Sequence, residues 1–319
     1  MDGSAYTLTL RSLPKGGEPV LPKEDEFAKL NLCRYRRLLL LIHGYNNDRS
    51  AADEAYDGFE KLQQKLAGDP ANGDYAPGTH TIRVYWPGDA DWGLASALFF
   101  MHAIDHAEKS GALLAETLER LAADGPLWVD VVAHSLGCRV TYEMLAALSD
   151  NTNVHIHRIV LFAAAVATFM LEPKDGQGFD TAYYARGTEG LLSLYSGHDS
   201  VLSLAFPVGS TMSPGPQGSF PTALGHEFWA SLDTPLTVNQ AENRNAGHSD
   251  YWGWDKKTKD TIGRFANQAA RDYLRFATVA RRQMPVVDAL VRTGEAARKT
   301  AVRKVAEREA ALRRLYGWE

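Results

Sequence analysis

The segment Ala-His-Ser-Leu-Gly at residues 133–137 is the part of the chain whose residue types and spacing are best suited to chemistry. An apolar run, Leu127 to Val132, precedes it, and apolar residues at helical spacing follow it as far as Leu148. This order predicts a strand, a sharp turn and a helix, with Ser135 at the apex of the turn. A hydroxyl at that apex lies near the positive end of the helix, so Ser135 is the candidate nucleophile.

A serine nucleophile needs a base, and the base needs an acceptor that fixes its tautomer. When the serine lies in a sharp turn between a strand and a helix, the acid comes later in the chain and the histidine later still, and each of them follows a strand. Asp199 follows the apolar segment 191–195, and His248 follows the segment 236–240. We therefore predict a triad of Ser135, His248 and Asp199, in which Asp199→Asn is milder than loss of the serine.

Competing residues exist for both partners of the serine. Asp175 and Asp180 lie in the predicted loop after the preceding strand and are weaker candidates for the acid. His226, in Leu-Gly-His-Glu, competes for the role of base, although no strand closely precedes it. His134 adjoins the serine, and we expect it to pack beside the site.

Acyl transfer also needs N–H donors for the developing oxyanion. One donor is expected from Leu136, directly after the nucleophile. The second is expected from Tyr45, because His43-Gly44 ends a continuous apolar run and the glycine allows close backbone approach.

The substrate pocket is less defined by the sequence. Trp86, Trp92 and Phe99 are aromatic candidates for its wall, with His134 beside it, although core packing is the more frequent role of such side chains. The sequence contains no Cys/His spacing for zinc and no glycine-rich phosphate loop. We therefore expect neither a metal nor an organic cofactor.

Strands and helices are predicted to alternate around these residues, which indicates an α/β fold with a mostly parallel, doubly wound sheet. The predicted strands are 37–42, 81–86, 127–132, 156–166, 191–195 and 236–240, with a weak edge strand at 4–10. The predicted helices are 51–66, 94–121 and 139–148.

The motifs together resemble the α/β-hydrolase superfamily and, within it, a poorly characterised bacterial family. The resemblance rests on His-Gly-Tyr-Asn at 43–46, Trp-Pro at 86–87, Ala-His-Ser-Leu-Gly at 133–137 and Gly-His-Ser-Asp-Tyr at 247–251. These motifs and the late acid Asp199 span about 35–255 in the family's order. The chain departs from the family at 163–166, where Ala-Ala-Ala-Val replaces an Ala-Pro-Asp turn.

Charge divides the chain into an acidic body and a basic tail. Residues 256–319 carry a net charge of +9 and residues 1–255 a net charge of −14. We expect the hydrolase body at 1–255, followed by a closing helix and a basic amphipathic helical tail at 256–319. The tail is expected to pack on the body or on a second subunit of a homo-oligomer. Membrane docking is not favoured, and nucleic-acid binding is not expected beside an acidic body.

These observations predict a serine hydrolase that cleaves a small carboxylic ester through an acyl-enzyme. One alternative is a lipase or phospholipase that acts at a membrane surface. An alternative of another class is a non-catalytic interaction module on a hydrolase fold. Two cysteines are too few for a disulfide framework, and we see no signal peptide, so the expected location is cytoplasmic.

Overall fold

In the part of the chain that the computed structural model describes, seven strands form a central sheet, and every neighbouring pair of strands is parallel. The strands are β1 (Tyr6–Thr9), β2 (Arg37–Ile42), β3 (His80–Tyr85), β4 (Leu127–His134), β5 (Val154–Phe162), β6 (Gly190–Tyr195) and β7 (Val238–Glu242). The structure describes residues 6–12, 17–32, 37–45, 47–66, 80–88, 97–149, 152–171, 190–207, 222–228, 238–243 and 245–252.

The central strands are buried on both faces, as their continuous apolar sequences predict. Every residue of β2 and of β4 is buried. Such strands need helices on both sides of the sheet. The predicted α/β fold with a parallel, doubly wound sheet is therefore confirmed.

Among the described residues, four α-helices accompany the strands: α1 (Glu24–Leu32), α2 (Arg49–Leu66), α3 (Ala97–Leu121) and α4 (Gly137–Ala147). Right-handed crossovers place α2, which moves the chain from β2 to β3, opposite α3 and α4. Helices α3 and α4 pack on each other. Their approach is close at Gly111, where an added Cβ would lie 2.4 Å from Cβ of Glu143.

The strand order β1-β3-β2-β4-β5-β6-β7 determines where a ligand can bind. After β2 the chain moves to β3 on one side, and it then returns across the sheet to β4 on the other side. Parallel sheets have a crevice at such a switch point, outside the carboxyl ends of the strands. Here the crevice lies beyond β2, which ends before His43, and β4, which ends at His134.

One predicted strand ends early, and one observed helix is not expected from the sequence. Strand β5 ends at Phe162 rather than continuing to Val166, because Ala163 has a φ of 45° and cannot extend the strand. Helix α1 was not predicted, since its charged sequence carries only a weak apolar stripe. The predicted closing helix and tail at 256–319 lie outside the described residues, and the domain boundary remains a prediction.

Candidate active site

Ser135 occupies a strained turn between β4 and α4. Its φ is 53°, in the left-handed region that serine rarely adopts. The turn is held on both sides, because the N–H of Ser135 donates to the carbonyl of Phe162 at 2.9 Å and its carbonyl accepts from the N–H of Ala165 at 3.1 Å. These bonds to the chain after β5 keep the serine at the apex that the sequence predicts.

Two glycines let the end of β2 lie directly against this turn. A Cβ on Gly44 would lie 2.7 Å from Cβ of Ser135 and 2.9 Å from Nδ1 of His134. A Cβ on Gly137 would lie 2.3 Å from the carbonyl oxygen of His43. Only residues without a side chain allow the turn at 43–45 to approach the serine this closely.

The structure brings the three predicted triad residues together. Nε2 of His248 lies 2.8 Å from Oγ of Ser135. Nδ1 of His248 lies 2.8 Å from Oδ2 of Asp199. Because a carboxylate only accepts, Nδ1 carries the proton and Nε2 presents its lone pair to the serine hydroxyl. The three side chains thus form one hydrogen-bonded line from the carboxylate to the serine.

Asp199 follows β6 and is fully buried, and the second oxygen of its carboxylate also accepts hydrogen bonds. Oδ1 accepts hydrogen bonds from the backbone N–H groups of Val201 at 3.1 Å and Leu202 at 3.0 Å, at the start of a short π-helical segment, Val201–Ala205. These donors stabilise the carboxylate and fix which oxygen faces His248.

His248 is carried by a tight turn that follows β7. The carboxylate of Asp250 accepts from the N–H of Gly247 at 2.8 Å, which closes the turn. Nε2 of His134 lies 2.7 Å from the carbonyl oxygen of His248 and must donate to it, since a carbonyl only accepts. The last residue of β4 therefore holds the backbone that carries the candidate base.

Residues 23–174, a little under half of the chain, match the model of a family described as "Alpha/beta hydrolase of unknown function (DUF900)". The matched segment ends after β5, and it contains the serine elbow and the turn at 43–45. The chain has the α/β-hydrolase fold. No curated protein matches its sequence.

Solved structures that match this chain are distant from it in sequence. TT1662 from Thermus thermophilus is 16% identical, with 77% of this chain and 89% of that chain covered at a TM-score of 0.42. A putative hydrolase from Agrobacterium vitis S4 is 11% identical, with 76% and 88% covered at a TM-score of 0.40. Esterase PE8 is 15% identical, with 76% and 93% covered at a TM-score of 0.41. The fold assignment rests on the family match and the strand order rather than on these similarities.

Within this α/β-hydrolase fold, two aromatic side chains support the turn at 43–45, which the sequence did not reveal. The hydroxyl of Tyr56 accepts from the N–H of His43 at 2.8 Å and donates to the carbonyl of Val84 at 2.6 Å. Nε1 of Trp86 donates to the carbonyl of His43 at 2.8 Å, and the indole of Trp86 stacks on the imidazole of His43 with ring centroids 5.7 Å apart. The backbone that leads to Tyr45 is therefore fixed on both sides.

Trp86 was a candidate for the pocket wall, and the structure corrects this prediction. Its side chain is fully buried, because the indole fills the core and bonds the His43 backbone. His134, also considered for the pocket, is buried as well and acts on the His248 turn. Phe99 belongs to α3. Trp92 and the side chain of Phe99 lie outside the part of the chain that the structure describes.

The predicted oxyanion donors belong to the two backbone segments that adjoin the serine. Leu136 follows Ser135 directly, ahead of α4, where backbone N–H groups have no acceptor within the helix. Tyr45 ends the turn that Gly44 brings against Ser135. The Tyr45 side chain is half-buried, and burial raises the pKa of its phenol, so the hydroxyl stays protonated at neutral pH.

The competing residues do not join this line. Among the described residues, His226 has no hydrogen bond with Ser135 or Asp199, and its own backbone N–H donates to Ala223. Asp175 and Asp180 lie outside the described residues.

Burial controls the charge of His134. Together with the smaller effect of the nearby His248, it lowers the pKa of this imidazole to about 3. His134 therefore stays neutral at physiological pH and adds no positive charge beside the candidate base. The arrangement places a serine hydroxyl, a base and an acid in the order that acyl transfer requires.

Proposed function

We propose that this chain is a serine hydrolase that cleaves carboxylic esters through an acyl-enzyme. The observation that carries the proposal is the pair of 2.8 Å hydrogen bonds that join Asp199, His248 and Ser135 at the switch point of the sheet. The strained φ of Ser135 supports it, since strain of this kind concentrates at functional sites.

In the proposed reaction, Oγ of Ser135 attacks the ester carbonyl while Nε2 of His248 takes its proton. The negative charge that develops on the carbonyl oxygen is stabilised by the N–H groups of Leu136 and Tyr45. The imidazolium then gives its proton to the departing alcohol, which leaves an acyl group on Ser135. Water attacks this acyl-enzyme with His248 again as the base, and the acid and free serine result. The carboxylate of Asp199 stabilises the imidazolium. None of these steps uses a cofactor.

A second candidate is a lipase that acts on an apolar or aggregated ester. Two large apolar side chains are exposed on segments near the site: Leu204 at 70%, just after Asp199, and Phe228 at 62%, against Tyr195 at the end of β6. Apolar side chains in such places favour contact with an acyl chain or a lipid surface. None of the described helices combines the length and apolarity that a membrane crossing requires.

Ester turnover tests the proposal and separates the candidates. A series of p-nitrophenyl esters of increasing acyl length would be assayed with the full chain and with Ser135→Ala, His248→Ala and His226→Ala. We expect the first two variants to lose about 10³-fold or more in kcat, since triad members act as a unit, and His226→Ala to retain activity. A dead His226→Ala with an active His248→Ala would contradict the assignment of the base.

The physical state of the substrate distinguishes an esterase from a lipase. We expect the rate to saturate with monomeric ester below its critical micelle concentration. A rate that rises only above that concentration, and that falls when Leu204 and Phe228 are both replaced by serine, would favour the lipase. Absence of turnover on every ester and of fluorophosphonate labelling would favour the non-catalytic module. The cytoplasmic location and the packing of the tail remain predictions.

A further inference from the structure

A group of metal-binding side chains lies in the first half of α3, apart from the triad. His102, Asp105 and His106 are spaced three and four residues apart, so they share one face of the helix. One ligand atom from each lies within 4.8 Å of the other two. The rings of His102 and His106 are close, with centroids 4.1 Å apart.

His106 is held in the orientation of a metal ligand. Its residue surface is only 5% exposed, and Nδ1 lies 3.0 Å from the carbonyl oxygen of Pro87, to which it donates. In the neutral ring this bond leaves the lone pair on Nε2. That buried atom has no hydrogen-bond partner among the described residues. A backbone carbonyl that fixes one ring nitrogen while the other faces a metal is the usual support of a histidine ligand.

A carboxylate from another part of the chain faces the same atom. Oε1 of Glu18, in the chain after β1, lies 3.8 Å from Nε2 of His106. The separation of two ligand atoms around tetrahedral zinc is roughly 3.4 Å, given metal–ligand distances of about 2.0–2.2 Å. Small rotations of the exposed Glu18, Asp105 and His102 side chains would therefore close the site around an ion.

Lys109 now holds the two carboxylates of this group together. Its Nζ lies 2.8 Å from Oδ2 of Asp105 and 3.2 Å from Oε2 of Glu18. Lys109 is the cation that a metal ion would displace, and its bonds to one oxygen of each carboxylate leave the other oxygen to bind.

We propose that His102, Asp105, His106 and Glu18 form a binding site for a zinc-class divalent cation. Two imidazoles and two carboxylates suit Zn²⁺ rather than Mg²⁺ or Ca²⁺, which take oxygen ligands. The ion would join the chain after β1 to α3. The spacing of His102 and His106 on one helix face is one that zinc sites use, contrary to the expectation from the sequence. Glu18 could not be predicted, because it is distant in sequence and Nε2 of His106 is oriented by a tertiary bond.

Calorimetric titration of the full chain with ZnCl₂ tests the proposal. We expect the wild-type chain to bind one more Zn²⁺ than His102→Asn, which alters an exposed side chain and preserves the fold. His80→Asn, at the opposite end of β3, is the matched control and should bind as the wild type does. Zinc that binds at the triad would bind equally to the wild type, His102→Asn and His80→Asn. The difference in the number of bound ions between wild type and His102→Asn therefore reports the proposed site alone.

Lys109→Gln makes the test specific to this arrangement. Removing the competing cation should tighten zinc binding at the site by about tenfold, a change of about 1.4 kcal/mol. Zinc should also raise the melting temperature of the wild type more than that of His102→Asn, because a ligand of the folded state stabilises it. Equal zinc binding by wild type and His102→Asn, or weaker binding by Lys109→Gln, would overturn the proposal.

Discussion

Replacement of Asp199 by asparagine tests how the carboxylate controls the candidate base. The sequence alone suggests a mild effect, because an imidazole can act when poorly oriented. The structure predicts a severe one. Asp199 uses Oδ2 for Nδ1 of His248 and Oδ1 for two backbone N–H groups, those of Val201 and Leu202. An asparagine side chain has a single oxygen, which can accept either from His248 or from the two backbone N–H groups, but not from both.

Two orientations of the amide in Asp199→Asn can be compared from these contacts. If the amide oxygen accepts from Val201 and Leu202, the NH₂ group faces Nδ1 of His248 and moves the imidazole proton to Nε2. That tautomer cannot accept the proton of Ser135. The opposite orientation restores the tautomer but leaves the part-buried N–H of Val201 and the buried N–H of Leu202 unsatisfied, at about 1–3 kcal/mol each. The inactive tautomer is therefore favoured by about 2–6 kcal/mol, the sum of these two costs.

This free-energy difference corresponds to a loss of about 30-fold to more than 10⁴-fold in kcat, since about 1.36 kcal/mol is tenfold. Loss of the negative charge beside the imidazolium adds to it, so we expect a decrease of about 10³- to 10⁴-fold. The assay is kcat on a p-nitrophenyl ester, with the melting temperature as a check on folding. Asp250→Asn is the matched control, because its amide oxygen can still accept from Gly247. A folded Asp199→Asn within tenfold of wild type would refute the tautomer argument.

Three further substitutions test the support of the site and of the sheet. Gly44→Ala places a Cβ 2.7 Å from Cβ of Ser135, and the displaced turn should reduce kcat by about 100-fold, measured on the same ester. His134 has a pKa of about 3 in the folded chain and binds its proton more readily when unfolded, so its contribution to stability is lost as the pH falls from about 6.5 towards 3. In His134→Gln, the pH dependence of the unfolding free energy over this range should therefore decrease by about one proton, and an unchanged dependence would contradict this. Asp130 is buried and accepts hydrogen bonds from Nε and Nη2 of Arg37 at 3.1 and 2.8 Å. Asp130→Ala should therefore lower the free energy of unfolding in urea by about 3–5 kcal/mol, whereas Asp57→Ala, at a partly exposed ion pair, should lower it by under about 1 kcal/mol.

The central strands and the triad could be predicted because their signals are local. The apolar runs of β2 and β4 require burial on both faces, and each ends in a short motif. Ser135, Asp199 and His248 each follow a strand, so chain order alone brings them to one edge of the sheet. Boundaries were less accurate, and β7 extends to Glu242 rather than ending at Gln240.

The remaining features depend on contacts between distant parts of the chain. The run Ala163–Val166 is apolar and resembles a strand, but the positive φ of Ala163 ends β5 before it. The role of His134 depends on the carbonyl of His248, which is 114 residues away along the chain. Trp86 supports the His43 backbone instead of lining a pocket, and composition does not distinguish these two uses of an aromatic ring.

Covalent labelling of the serine tests the central claim most directly. The full chain would be treated with a fluorophosphonate, digested, and examined by mass spectrometry for the modified peptide. We predict one adduct on Ser135 in the wild type and in His226→Ala, and none in Ser135→Ala. Labelling in His248→Ala should be slower by about 10³-fold or more, because the base that activates the serine is absent. An unlabelled wild-type chain, or an adduct at a residue other than Ser135, would contradict the account.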